Sequence, residues 1–311
     1  MFDHFREEPE IVQIGDWVHG DGSVRRDRST GSNDTLRFRR YASDLCEISI
    51  RPTFGASQIP VRRRQAIARR AGSRKKDADM LAHRRWESLD AANHGWLRAK
   101  YHFAVTADGT PEHVPLGPLI VWNDDEIAVG SGFPMHGHRD MEIITYVRQG
   151  VLGHRDTLGS EGMIGAGDVQ VMSAGTGIRH AEFNRGDRPL KVYQIWLLPR
   201  ASGGAPGWDM KQFPKGDRSG RFVVLASGFA GDDGALPIRA DARVLGATLK
   251  AGEQVRHGLG ASRRAYLVAA AGRIDVNGER VGPLDGVAIT NETALDITAV
   301  EDSELVMVEA G

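Results

Sequence analysis

The sequence predicts an all-β protein: two barrel-like β-domains behind a basic N-terminal extension. Three observations predict it. Short segments rich in Val, Ile, Leu, Tyr and Trp recur from about residue 84 onward, which is the composition of strands. The chain has 38 glycines, many of them between those segments, and turns at such short spacing favour a sandwich or barrel over long helices. A length of 311 residues accommodates about two domains with a core each.

The extension comes first, over residues 1–83. Residues 1–85 carry 18 basic and 12 acidic side chains and residues 86–311 carry 22 and 29, so the formal net charge of −1 averages a basic segment at +6 and an acidic body at −7. The basic residues concentrate in 51–85, where 11 of them face only Asp77 and Asp79. No period of 2 or 3.6 is sustained before residue 80, and GDGSVRRDRSTGSND reads as loop or disorder. A short helix fits around residues 60–70. The Arg/Lys run lacks aromatic or motif partners, so it reads as a solvated extension and no nucleic-acid partner is expected. The lone Cys46 excludes an intrachain disulfide and a Cys-rich zinc site. The N-terminus MFDHFREEPEIVQ has no apolar signal core, and runs such as Tyr266–Ala271 are far shorter than the roughly 20 residues that span a bilayer. A cytoplasmic monomer without membrane contact is expected.

The strands follow in order: Ile143–Arg148, Asp168–Ala174, Lys191–Leu198, Arg221–Ala226, Ala265–Ala271 and Leu305–Glu309. Ser202–Lys215, with three glycines and two prolines, reads as a linker. This divides the body into a first domain over 84–202 and a second over 203–311. A weak repeat supports two related halves: Tyr146-Val-Arg-Gln-Gly150 with Gly167-Asp168-Val-Gln-Val matches Tyr266-Leu-Val, Gly272 and Gly286-Val-Ala-Ile.

The chemistry concentrates in GSGFPMHGHRDMEIITYVRQG (130–150) and IGAGDVQVMSAGTGIRHAEFN (164–184). On a strand, residues i and i+2 share a face. His136 therefore lies with His138, and His180 with Glu182. Two neighbouring strands would direct all four side chains to one spot, and three imidazoles with one carboxylate suit a divalent transition metal with positions left open. Glu142 shares parity with His138 and reads as a ligand, an acceptor behind the ligands or a strand ion-pair partner. Asn184 reads as an orienting partner for Glu182 or as a turn former. His154, in the turn-like GHRDTLG, is expected to be exposed.

These residues carry a resemblance. Gly130, His136, His138 and Glu142 resemble the first cupin motif, and Gly167, Gly175, His180 and Asn184 the second, with Ser173 where many cupins have proline. FPMHGHRDMEIITYV, HRDTLG, GDVQVMSAGTGIRHAEFN and YQIWLLP resemble the pirin family, and ANHGW (92–96) and DMEI (140–143) its bacterial quercetinase-like branch. The resemblance covers about residues 84–311 and is strongest over 92–200. It implies two cupin barrels, that is, double-stranded β-helix or jelly-roll domains. The first would hold the metal through His136, His138, His180 and Glu182, with Glu182 rather than Glu142 as the carboxylate ligand. The implied cofactor is one divalent transition metal, taken as Fe(II), with Mn, Co, Ni, Cu and Zn compatible with the same donors. The implied activity is dioxygenation of flavonols such as quercetin, with a small-molecule flavonol and dioxygen as partners. Glu182 would serve as the base and Glu142 as the fallback. The other role known in the family is a redox-responsive metal-binding regulator that engages partner proteins.

Two features depart from the family. Gly137 stands where pirins commonly place proline between the histidines, which predicts softer ligand spacing and lower metal affinity. Residues 1–79 have no counterpart in the family. Met80 lies about where a member would begin, so the extension is expected to be dispensable or a start-site artefact. In the second domain His257 is the only histidine at the position of the first motif, and no histidine or cysteine follows it. That domain is expected to hold no metal and to wall the first domain's pocket, with His257 on the surface.

Overall fold

The structure is a computed structural model that describes residues 81–104, 109–260 and 262–311. All of these lie in Ala42–Gly311, one of the two units into which the chain divides. The basic run up to residue 80, the helix around 60–70 and the extension before Met80 fall outside the described residues.

Each of the six expected segments is a strand: Glu142–Gln149, Val169–Ser173, Leu190–Leu197, Val223–Ser227, Arg264–Ala271 and Ser303–Ala310. Four sheets result. A seven-stranded sheet runs in the order Gly207–Lys211, Val169–Ser173, Glu142–Gln149, Leu190–Leu197, Leu119–Ile127, Leu97–Tyr101 and Asp90–Asn93. It closes on a four-stranded sheet of Gly132–His138, Ile178–Asn184, Val151–Asp156 and Glu161–Gly165. The second half repeats the plan, with a seven-stranded sheet centred on Arg264–Ala271 and Ser303–Ala310. Its four-stranded sheet consists of Gln254–Gly258, Ala294–Ala299, Ile274–Val276 and Glu279–Val281. The chain thus forms the two cupin barrels that the resemblance implied.

Alternation along the strands builds two kinds of interior. In the second barrel Leu245, Ala247, Leu267, Ala269, Leu305 and Met307 point into one apolar core, while their neighbours Val244, Tyr266, Val268, Val306 and Val308 point the other way. Those outward residues meet Trp122, Ile144, Tyr146, Val169, Tyr193 and Ile195 of the first barrel, so the two large sheets pack face to face through one shared core. The first barrel is filled differently. Behind Ile144 and Tyr146 comes Thr145, behind Val169 and Val171 comes Gln170, and behind Tyr193 and Ile195 comes Gln194, all buried.

Each seven-stranded sheet also borrows an edge. Leu81–Arg84 pairs with Gly286–Ile289 of the second barrel, while the chain goes on to build the first. Gly207–Lys211 pairs with Val169–Ser173 of the first barrel, although Ser202–Lys215 reads from the sequence as a linker. The glycines and prolines bracket this edge strand rather than keep the whole stretch irregular. The exchange is fastened by Arg84, 5% exposed, whose guanidinium lies over Phe103 and Tyr266 and donates to the His102 carbonyl.

Candidate metal centre

Gly132–His138 and Ile178–Asn184 pair antiparallel with His136 in direct register with His180. Both HxH and HxE are therefore on strands, as their spacing predicts, and both point into the first barrel. The ring centroids of His136 and His180 lie 4.4 Å apart, those of His136 and His138 4.8 Å, and those of His138 and His180 5.1 Å. One nitrogen from each ring falls within a single cluster. Between His180 and Glu182 the register shifts through a bulge, which re-aims the carboxylate. Gly132 makes this possible, because a Cβ there would collide with the Glu182 carbonyl and the Phe183 Cα.

The three rings are prepared as neutral donors. Burial lowers the pKa of each: His136 below its ordinary value, His138 to about 3 with His136 adding to the effect, and His180 well below. His136 Nδ1 donates to the Pro134 carbonyl at 2.7 Å, which leaves Nε2 free as a lone-pair donor. His180 is 2% exposed, and neither of its nitrogens has a hydrogen-bond partner. Two unpaired nitrogens at that depth are costly unless something takes a lone pair. A divalent ion does so, and three nitrogens with a nearby carboxylate fit such an ion.

Glu182 sits deeper, 2% exposed, in a cradle that the sequence did not reveal. Asn123, Gln194, Thr145 and Gln170 are consecutive register partners across four strands, and three of them bond this carboxylate. Gln194 Nε2 donates to one oxygen at 2.8 Å; Thr145 Oγ1, at 3.3 Å, and Gln170 Nε2 donate to the other. Burial pushes Glu182 up to about 7 against the pull of these donors. The carboxylate clusters with His180 and His154 rather than with His136 and His138.

Two readings change. His154 is not exposed: it is 4% accessible, on the strand Val151–Asp156. Its ring stacks on Trp208 at 4.6 Å and 6°, and its Nε2 meets Asp156 Oδ2 at 3.1 Å. The text GHRDTLG has a turn's composition because the loop after Asp156 folds back to donate the Leu158 and Ser160 N–H groups to Asp156 Oδ1. Burial raises Asp156, but the His154 and backbone bonds outweigh it and hold the carboxyl below its usual range. His257 is not on the surface: it is half-buried, 3.0 Å from Glu309 and packed against Phe222.

The alternatives for the other two residues also resolve. Glu142, 1% exposed, accepts Ser173 Oγ at 2.6 Å and the Arg239 N–H at 3.0 Å, so it ties the first barrel to the second instead of joining the cluster. Asn184 bonds Gly186 and Arg188 in its own turn, and the Ile127 carbonyl at the end of Leu119–Ile127, rather than Glu182. Among the described residues, both clusters able to hold a metal lie in the first barrel. No helix among them is long and apolar enough to cross a membrane.

The same arrangement has known relatives. The pirin family model matches residues 83–197, and the model of the quercetinase C-terminal cupin domain matches 224–310. A pirin-like protein of Caulobacter vibrioides is 56% identical over 74% of this chain and 100% of its own length. A protein of Escherichia coli named quercetin 2,3-dioxygenase is 37% identical over 70% of this chain and 92% of its own. The crystal structure of YhhW from Escherichia coli superposes with a TM-score of 0.71 at 35% identity, over 74% of this chain and 97% of that one. A second structure of that bacterial pirin, in complex with nickel(II), gives 0.69 at 35% identity over 74% and 98%. With both barrels matched and the histidine cluster in place, this chain belongs to the pirin family.

Proposed function

We propose that this protein is a metal-dependent dioxygenase of flavonols such as quercetin, cleaving the heterocycle by 2,3-dioxygenation with release of carbon monoxide. The observation that carries the reading is the trio of neutral, converging imidazoles of His136, His138 and His180, with Glu182 two residues further along the same strand face. We assign these four residues as the ligands of one divalent transition metal. Fe(II) is the proposed ion; the donors are also compatible with Mn, Co, Ni, Cu and Zn, and the nickel(II) complex of the bacterial relative supports a divalent occupant. The catalytic domain in this reading is 84–202, with 203–311 as its wall, and the protein acts as a cytoplasmic monomer.

A divalent ion held here supplies Lewis-acid stabilisation of a flavonol 3-oxyanion. The protein does the rest. Glu182, whose carboxyl burial holds above the ordinary carboxylate range, is the group placed to take the proton of the substrate 3-hydroxyl. Gln194, Gln170 and Thr145 fix that carboxylate without neutralising it. Trp196 against His138, and Phe133 against His136 and Trp96, offer aromatic walls that orient a flat ring system and keep water out. Both atoms of dioxygen enter the opened ester product as one ring carbon leaves as carbon monoxide.

The test is direct. The full-length chain is loaded anaerobically with Fe(II), then given quercetin and air; the flavonol absorbance should bleach and carbon monoxide should appear. No bleaching with Fe, Mn, Co, Ni or Cu would sink the enzymatic reading.

A further inference from the structure

His154 has a geometry that the four-ligand centre leaves unexplained. Its Nε2 is engaged by Asp156 Oδ2, and Asp156 is itself fixed by two backbone N–H groups through its other oxygen. With Asp156 ionised, Nε2 carries the proton and the lone pair lies on Nδ1. That atom is buried and has no hydrogen-bond partner. The carboxylate–imidazole pairing is the one that orients histidines toward metals. The ring's plane is set as well, by the stack on Trp208, whose Nε1 donates at 3.1 Å to Gln170, a residue of the Glu182 cradle. Gly162 keeps the space for that indole, since a Cβ there would collide with it. The His154 and His180 rings lie 5.4 Å apart, and one donor atom each from His154, His180 and Glu182 falls within a common 4.8 Å.

We propose that His154 is a metal ligand, and that the first barrel holds two overlapping seats: the outer centre of His136, His138, His180 and Glu182 proposed above, and an inner seat of His154 that shares His180 and Glu182 with it. The inference rests on the metal centre proposed above and extends it inward. His180 suits the shared position because both of its nitrogens are buried and unpaired, so either tautomer presents one lone pair, to one seat at a time. The inner donors, two nitrogens and one oxygen, suit the same class of divalent transition ion. Trp208 and Asp156 are positioning residues for this seat.

Cobalt(II) tests it without turnover. Metal-free full-length protein is titrated with Co(II), following its visible bands and measuring affinity by chelator competition. Wild type is compared with the His136→Ala/His138→Ala double variant and with that variant carrying His154→Phe, which keeps an aromatic ring on Trp208. The double variant should still bind Co(II) through the inner seat, and adding His154→Phe should weaken that binding by a further factor of about ten to a hundred. Equal affinity of the double and triple variants overturns the inner seat and leaves the outer centre standing. Wild type that binds no Co(II) overturns both. If a variant does not melt cooperatively, Co(II)-soaked crystals of the wild type are read by anomalous scattering. Density beside His154 Nδ1 supports the inner seat, and density confined to His136 and His138 refutes it.

Discussion

His136 and His180 face each other in direct register across two antiparallel strands, their ring centroids 4.4 Å apart. The pair sits where a four-stranded sheet closes over a barrel whose inner face carries the polar Thr145, Gln170 and Gln194 beside the apolar Ile143, Met172 and Ile178, next to a second barrel whose interior is apolar. With the proposed ion bound here, stability would depend on occupancy. An ion that binds the folded state only adds about 2.7 kcal/mol at a hundredfold excess over its dissociation constant. Melting curves of chelated and Ni(II)-loaded protein should differ accordingly, and His180→Ala should abolish the difference. A metal-induced shift that survives in His180→Ala would place the ion elsewhere.

In the proposed reaction Glu182 is the residue on which proton transfer depends. Both of its oxygens receive amide or hydroxyl donors, so Glu182→Gln sets an amide N–H against one of them as well as removing the base. Loss of a positioned base costs about 10²- to 10⁴-fold in rate. Steady-state assays should show that loss in kcat. A variant with kcat near wild type would move the role of base away from Glu182.

Much of this was legible in advance, for a simple reason. HxH and HxE are each i, i+2 pairs, and strand periodicity alone puts each pair on one face. The six strongest strands likewise announce themselves by composition. What was not legible depends on register between distant strands. Thr145, Gln170 and Gln194 are each a single polar residue inside an apolar run, which signals an inward polar side chain, but only pairing shows that they line up under Glu182. His154 was misread because a loop that wraps a buried carboxylate has the same composition as a loop in water. Leu81–Arg84 and Gly207–Lys211 were missed as edge strands because each joins the barrel that its place in the chain does not suggest.

The contact between barrels contains a fully buried cation. Arg218 has no exposed side-chain area; it donates to Tyr146 Oη at 3.0 Å and lies 3.7 Å from Glu304, which Lys215 also pairs at 2.6 Å. Removing one partner of a buried ion pair costs about 3–5 kcal/mol. Arg218→Ala should lower the unfolding free energy by that order, read as a lower urea midpoint at unchanged m-value. A change under about 1 kcal/mol would show that Lys215 alone satisfies Glu304.

His102 predicts how acid weakens the fold. It is fully buried between Trp122 and Tyr266, with Nδ1 2.8 Å from Tyr266 Oη. Burial, with Arg84, Arg148 and His113 adding to it, holds its pKa well below 6.5. The unfolded chain takes up a proton here below about pH 6.5 while the folded chain does not. Stability from this site is therefore full above that pH and falls as pH drops, by up to about 1.4 kcal/mol per pH unit. The gap in unfolding free energy between wild type and His102→Gln, followed from pH 7.5 to 5, should move against the wild type. A gap constant over that range would mean that His102 titrates alike in both states.

The central claim, that the His136, His138, His180 and Glu182 centre makes this pirin a flavonol dioxygenase, is tested most directly by turnover of quercetin under ¹⁸O₂, with product mass and headspace carbon monoxide read together. Wild type should give an opened ester product that carries both labelled oxygens and one carbon monoxide per quercetin consumed, and His180→Ala neither. Quercetin recovered intact from metal-loaded wild type, or consumed without label or carbon monoxide, would contradict it.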